Sequence, residues 1–532
     1  MEKLLLLCLF SQIEPLYSPE AKEGDDLYII QYFTSHPLDL NTASGEDMLL
    51  IPFLSREIVE KIIERRKDHP FNDVNGLLLI DGISPLMFER IKPMFTVTGI
   101  KTPPPRGYRY LLKGIIKFPY EEDYLGTPEK LYAKGKFRYK NNSIGFIAEK
   151  DYYEPDYLDY YSFSFSNKYI VLGDYDLSSG LGLLFGRPGY FYKGSGVNIL
   201  GKGFLPHLST FENNALFGIG IKNRVLGPFL SYRKLDCTFA DSVFKPYDTG
   251  YHRKTSEIDK KDRIVEITGG TVFSYKWFSG IISYAHYDSS FLQMNGVNFS
   301  LSFAKELSNN KFVGEIAKAN GLAIALYYKL SNGLSFLYYR IPDNYYSYRM
   351  SPLESGEGMY VYLERRILEL KTYSYLNFEK VDSVYSYDID GGITIDYKPL
   401  RWLLMEGVGK FRNDRGSLRG DIILRKEKKF VRYRLEMNKY QHELGYLTYA
   451  CVGVSGDLGF ELRYIWFKSD SYNSRIYEYE NDIPGEFTIL PLYGEGDRFY
   501  VLIHYKPLGL YVKYSISRKE EQTTKIGVAF SK

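Results

Sequence analysis

From residue 107 to the C-terminus, apolar and polar residues alternate in segments of about ten residues, a pattern that β-strands carry and helices cannot. Val431, Tyr433, Leu435 and Met437 alternate with Arg432, Arg434, Glu436 and Asn438. Tyr161, Phe163 and Phe165 alternate with Ser162, Ser164 and Ser166, and Phe499, Val501, Ile503 and Tyr505 with Arg498, Tyr500, Leu502 and His504. Each stretch has one apolar and one more polar face. Abrupt turns punctuate the run at Asn141-Asn142, Ser331-Asn332-Gly333, Arg415-Gly416 and Ser455-Gly456-Asp457. Longer polar stretches intervene from Pro246 to Asp262, Pro342 to Gly358 and Asn481 to Asp497. Short turns at one end and long loops at the other match a transmembrane β-barrel. At ~17–20 residues per strand and connection, residues 107–532 predict a large antiparallel barrel of roughly 20–26 strands. Soluble sandwiches use shorter strands, typically ~5–6 residues. Tyr346, Tyr360, Trp466 and Tyr472 fall near expected strand ends and suit interfacial girdles.

Composition agrees with this reading. Aromatic residues make up 17% of the chain and glycines number 47, which favours strands and turns. A hydrophobic content of 44% with a mean hydropathy of −0.28 excludes a polytopic helical membrane protein and wholesale disorder alike. Lys and Arg total 68 against 65 Asp and Glu, so bulk charge advertises no nucleic-acid partner. Beyond Cys8, only Cys237 and Cys451 occur, too far apart in sequence for a disulfide framework or a zinc site.

The first residues read as an export signal. Met1-Glu2-Lys3 gives a basic start, Leu4 to Phe10 is unbroken apolar sequence, and Ser18 offers a small residue for cleavage. We therefore expect a signal peptide at 1–18 and an N-terminal extension at 19–36. No other run approaches the ~18–20 apolar residues of a spanning helix.

Residues 37–97 have a different period. Ser44 can cap a short helix through Met48, Leu49 and Leu50 that Pro52 ends. Ser55 can cap a second, on which Ile58, Val59, Ile62 and Ile63 share one face. After Asp68-His69-Pro70-Phe71 the plan repeats: Val74, Leu77 and Leu78 form a short helix, Asp81-Gly82-Ile83 turns, and Ser84-Pro85 starts a last helix carrying Met87, Phe88 and Ile91. Thr102-Pro103-Pro104-Pro105-Arg106 closes a stiff linker at 98–106. The expected fold is thus a small all-α tandem helix-hairpin-helix domain followed by the barrel.

The run Asp39-Leu40-Asn41-Thr42-Ala43-Ser44, with Ile51-Pro52, Pro70-Phe71, Leu77-Leu78 and Asp81-Gly82-Ile83, resembles the tandem helix-hairpin-helix domain of ComEA-type competence proteins. The resemblance implies DNA as a partner, gripped through backbone N–H groups at the hairpins. Carried onto this sequence, it points to Gly82, Ile83 and Ser84, with Arg56, Lys61, Arg65 and Arg66 as a basic strip beside them. Phe53 and Ser55 replace both glycines of the first hairpin, and Ser84 the second glycine of the other. Seven basic residues stand against ten acidic ones across 37–97.

No enzyme assembles from the remaining sequence, and no cofactor or metal is expected. There is no His-Glu-x-x-His, Gly-x-Ser-x-Gly or Cys-x-x-Cys. Gly196 to Lys202 is a partial phosphate loop, followed by Gly203 where Ser or Thr should hold magnesium. Leu172-Gly173-Asp174-Tyr175 and Gly180-Leu181-Gly182-Leu183 put glycines where chain or cargo can approach a strand closely. Tyr477-Glu478-Tyr479-Glu480-Asn481-Asp482 gathers carboxylates at no EF-hand spacing and reads as a solvated loop. His207 and Glu212 lie near each other without a nucleophile and read as structural. The reading is a non-enzymatic barrel in outer-membrane lipid with a periplasmic helical module. Two roles stand open: DNA binding or uptake across the envelope, or a transport or scaffold barrel whose module plugs the lumen or docks a periplasmic protein.

Overall fold

The computed structural model describes residues 37–531, apart from gaps of which the longest are 98–105, 187–202, 289–294 and 351–355. The expected signal, the extension, most of the linker and the partial phosphate loop lie outside the described residues. The N-terminal module contains helices Gly45–Leu49 and Arg56–Asp68, a 3-10 helix Val74–Leu79 and a 3-10 turn Lys92–Met94. On the longest helix Ile58, Val59 and Ile62 turn inward, as their spacing requires. The next element departs from the α-helical expectation. With three residues per turn, Val74, Leu77 and Ile80 share the core side, and Leu78 and Leu79 face outward. Asp73 caps it by accepting a hydrogen bond from Gly76 N–H at 3.1 Å. Leu38–Asp39 pairs in parallel with Phe95–Thr96 and ties the module's ends together.

Among the described residues, 24 antiparallel strands close into a single barrel running from Arg106 to Ser531. Closure is made by Arg106–Phe118 pairing with Gln522–Ser531, in register from Leu111 opposite Ser531 to Phe118 opposite Thr524. The four-residue strand Gly203–Pro206 pairs in addition with Ile170–Ser178. Both chain ends of the barrel lie at one rim, which also carries the tight reversals at Lys140, Lys276 and Glu427, each with positive φ. The other rim carries the long connections 119–128, 151–159, 179–215, 236–263, 342–355 and 470–494. Arg415-Gly416 is not a turn. It opens the strand Arg415–Lys426, and the reversal sits at Asn413 on the long-loop rim.

Alternation sorts the side chains as expected. On Lys429–Tyr440, Val431, Tyr433 and Leu435 face outward and Arg432 and Arg434 inward, with Leu435 55% exposed and Arg434 2%. Phe163, Phe460, Tyr464 and Trp466 join the outer band, and Ser162, Ser164 and Ser166 the inner surface. Tyr360 does not serve a girdle; it is buried in the lumen, stacked in a row with Tyr362 and Tyr375. An outer band of this composition suits hydrocarbon, where an arginine near the bilayer centre costs about 2–4 kcal/mol. Leu435→Arg is therefore expected to abolish the heat-modifiable folded band on a gel, and Leu435→Phe to preserve it. Normal assembly of the arginine variant would take this face away from lipid.

Candidate functional site in the barrel lumen

A barrel this wide cannot fill its interior with wall side chains alone. Two parts of the chain occupy it, and a third meets its inner surface. The first is a hairpin in the 470–494 connection, where Ile476–Glu480 pairs with Thr488–Leu492. Two-residue periodicity puts Ile476, Glu478 and Glu480 on its wall-facing side, all buried. Glu478 accepts from Arg434 at 2.7 Å and from Arg463 at 2.8 Å. Glu480 takes both arms of Arg498, one at 2.9 Å, and lies 3.2 Å from Lys513. Asp482 meets Lys513 at 2.8 Å; Glu486 meets Lys113 at 2.6 Å and Lys525 at 3.4 Å. These cations come from six wall strands around the closure seam. Asp421 adds a wall carboxylate to the network, 2.7 Å from Arg432 and 2.9 Å from Arg434. Tyr449 lays its ring beside Arg434 and Arg463, with centroid distances of 5.0 and 4.5 Å. The sequence reading of this stretch as a solvated loop is corrected. Its carboxylates are acceptors for wall cations that sequence periodicity places inward but cannot pair.

The second filling part is the segment 179–186 with residues 345–350. Glu315 on the wall accepts the backbone N–H groups of Leu181 at 2.6 Å and Leu183 at 3.2 Å. Gly180 makes this possible: its φ is +55, and a Cβ there would sit 2.7 Å from the Glu315 carboxylate. Tyr345 donates to the Leu183 carbonyl at 2.8 Å, and Ser347 to that of Leu184 at 2.6 Å. Arg349 pairs with buried Glu266, one arm at 2.6 Å. Leu181, Leu183, Leu184 and Phe185 sink into an apolar cluster with wall residues such as Val313, Ala323, Tyr327 and Tyr360. The glycine-marked segment is thus a close approach of the chain to its own wall.

The third part is the helical module. Leu205, on the inner strand Gly203–Pro206, belongs to the module's apolar core, and Arg138 near the tight-turn rim is close enough to bear on Arg66 electrostatically. Of the residues singled out in the module, Lys61, Arg65 and Arg66 share the helix Arg56–Asp68. Gly82 and Ser84 lie outside the described residues, and nothing is described of the Arg56 side chain. Ile83 is buried, and its N–H donates to the Ile80 carbonyl at 3.1 Å. Arg65 lies over the Phe71 ring at 5.8 Å. Arg66 donates to the carbonyls of Leu40 at 2.9 Å and Ala43 at 2.7 Å. Lys61 is half-buried on the same helix.

His207, which reads as structural in the sequence, and His252 both have defined partners. His207 Nδ1 is 2.7 Å from Asp176, and its buried Nε2 has no hydrogen-bond partner among the described residues; Glu212 lies outside them. His252, at the long-loop rim, donates from Nδ1 to Asp159 at 2.8 Å and from Nε2 to Asp236 at 3.1 Å, while Lys261 reaches Asp159 at 2.5 Å. Glu154, Asp159 and His252 bring ligand-type atoms within 4.8 Å of one another, but with both ring nitrogens donating, no lone pair is left for a cation. Burial opposes the imidazolium, yet the hydrogen bonds to Asp159 and Asp236 outweigh it and hold its pKa up at about 10. Glu154 is pushed up to about 8, by burial first and then by the charges of Asp159 and Asp151.

Residues 34–96 match the family of the helix-hairpin-helix motif. No curated protein matches the chain. Among solved structures, the translocation pore of the P pilus usher PapC aligns at 9% identity over 80% of this chain and 98% of that one, with a TM-score of 0.37. An E. coli P pilus tip assembly intermediate, PapC-PapD-PapK-PapG, aligns at 8% identity over 80% and 60%, with a TM-score of 0.41. A mutant porin of Rh. blastica aligns at 10% identity over 48% and 92%, with a TM-score of 0.26. These scores are low, and the barrel stands on its own strand pairing.

Two outcomes are expected at this site. Arg434→Leu leaves Asp421 and Glu478 short of a buried partner, a change that typically costs about 3–5 kcal/mol, so the folded band should unfold at a clearly lower temperature; an unchanged midpoint would show that the hairpin does not depend on this residue. At the long-loop rim, both raised pKa values favour the protonated folded state. His252's contribution is complete below its ordinary 6.5 and lost as pH rises to about 10, and Glu154 adds a penalty growing from 4.5 to about 8. A nitroxide on exposed position 156 should therefore gain mobility as pH rises through this range, and be mobile throughout in His252→Gln.

Proposed function

We propose that this chain is a transport-type outer-membrane barrel held shut at rest by its own loops and by its helix-hairpin-helix module, which occupies the periplasmic mouth. The observation that carries this reading is the buried acidic hairpin, which lies inside the barrel against six wall strands. A scaffold barrel needs no such internal element, whereas a wide transport lumen must be closed between uses. The module's apolar continuity with Leu205 supports a plugging role for it too. The export-type N-terminus and the apolar outer band support the location.

DNA binding, the role implied by the resemblance to ComEA-type proteins, draws less support. Arg66 is spent on the Leu40 and Ala43 carbonyls, the Ile83 N–H is spent on Ile80, and the module carries more acid than base. A periplasmic protein partner remains compatible with an outward surface that includes Leu78 and Leu79.

The test is topological. The mature chain is expected to fractionate with the outer membrane and to shift on a gel when heated. A cysteine at exposed position 72 should react with a membrane-impermeant maleimide only after the outer membrane is opened. Deleting residues 37–97 should speed solute entry into proteoliposomes. Recovery of the chain from the soluble cytoplasm, or labelling of position 72 on intact cells, would overturn the proposal.

A further inference from the structure

The lumen is filled in two chemically different ways. The segment 179–186 is held chiefly by an apolar cluster of more than a dozen wall residues, which water cannot replace, beside the two N–H groups that Glu315 accepts. The hairpin is held chiefly by charge, with apolar anchoring at Ile476, Leu492 and Ile483. A permanent plug gains nothing from that choice, because a buried ion pair is no better a fastener than well-packed apolar side chains. Its distinctive property is that each partner can be exchanged for another ion of the same sign.

The wall beneath the hairpin is built for such exchange. Among the described residues, the ion pairs of Lys113, Arg498, Lys513 and Lys525 are all with the hairpin segment, through Glu480, Asp482 and Glu486. Each of these cations comes from a successive strand across the closure seam, so they form a track along the inner wall. Arg498 grips its carboxylate with both arms, the geometry that also suits phosphate. The hairpin's carboxylates thus occupy positions that oxyanions of a solute would fill.

We propose that the hairpin is a displaceable plug lying on an oxyanion-binding track, so that anionic solutes bearing carboxylate or phosphate groups compete with Glu480, Asp482 and Glu486 for the wall cations. This rests on the transport reading above. It goes beyond it by naming the element that moves and the charge of the cargo.

Cys451 is a built-in reporter. It is a free thiol, buried on the inner wall in the same apolar cluster as Ile476 of the hairpin. In the full-length chain carrying Cys8→Leu and Cys237→Ser, labelling of Cys451 by a small anionic thiosulfonate is followed in phosphate and in chloride at equal ionic strength. Phosphate should accelerate labelling several-fold over chloride. Replacing residues 471–493 with a short turn should raise the rate further and remove the phosphate effect, and the anionic reagent should outpace a cationic analogue by on the order of tenfold. The triple change Glu480→Gln, Asp482→Asn and Glu486→Gln should do the same in a chain that keeps its hairpin. Equal rates in phosphate and chloride, or a preference for the cationic reagent, would overturn the proposal. So would loss of the heat-modifiable band in both variants, since the hairpin would then be a structural staple. Failure of the transport reading shows separately, as an unaltered chain that yields no heat-modifiable, membrane-bound form.

Discussion

Everything in this molecule depends on the closure of the strand ladder. An open sheet leaves two edges of unpaired N–H and C=O groups, which a hydrocarbon surrounding cannot satisfy. Pairing Arg106–Phe118 with Gln522–Ser531 removes both edges at once. It also fixes the two faces, because each residue opposite a partner must point the same way as that partner. Arg434 therefore lies opposite Asp421 on one side and Tyr449 on the other, all three inward. The charge network exists because register places these residues together, and a slip of one residue would turn the arginines outward.

Closure at this strand number creates a second problem, since the enclosed space exceeds what wall side chains can span. The chain solves it by turning connections from one rim inward. Charge and apolar packing then divide the circumference: tyrosines, alanines and branched aliphatics line the wall that receives 179–186, and arginines and lysines line the wall that receives the hairpin. The division follows the sequence of the inserts. Leu181-Gly182-Leu183-Leu184-Phe185 needs an apolar host, and Glu478, Glu480, Asp482 and Glu486 need a basic one.

The outer face of the barrel was legible because a single rule, apolar side chains outward, holds along it. Val431, Tyr433 and Leu435 must be apolar, so a period of two appears wherever a strand crosses. The inner face obeys no single rule. Arg434, Ala323, Tyr360 and Glu315 all point inward, and each is explained by a partner distant in sequence. That is why Tyr360 could be taken for a girdle residue and Glu478 for a solvent-facing one. The turn expected at Arg415-Gly416 failed for a local reason: Asn413 tolerates positive φ and takes the reversal, leaving Gly416 as an ordinary strand glycine.

In the module, several residues that carry the resemblance have structural partners of their own. Of the matching residues, Asn41 holds the backbone of Phe71 from both sides, accepting from its N–H and donating to its carbonyl, each at 2.8 Å. Arg66 bridges the Leu40 and Ala43 carbonyls, and Ile51, Leu77 and Ile83 fill the core. Asn41 and Arg66 are thus accounted for by internal hydrogen bonds that fasten the first segment to the long helix and to the turn after it. Selection for that fastening alone would preserve the pattern. What a phosphate site needs in addition is glycine at the hairpin turns and an excess of positive charge; Gly82 keeps one such glycine, Phe53, Ser55 and Ser84 stand at the others, and acidic residues outnumber basic ones. These internal ties hold the module in a fixed shape, and the surface it meets here includes Leu205 of its own barrel.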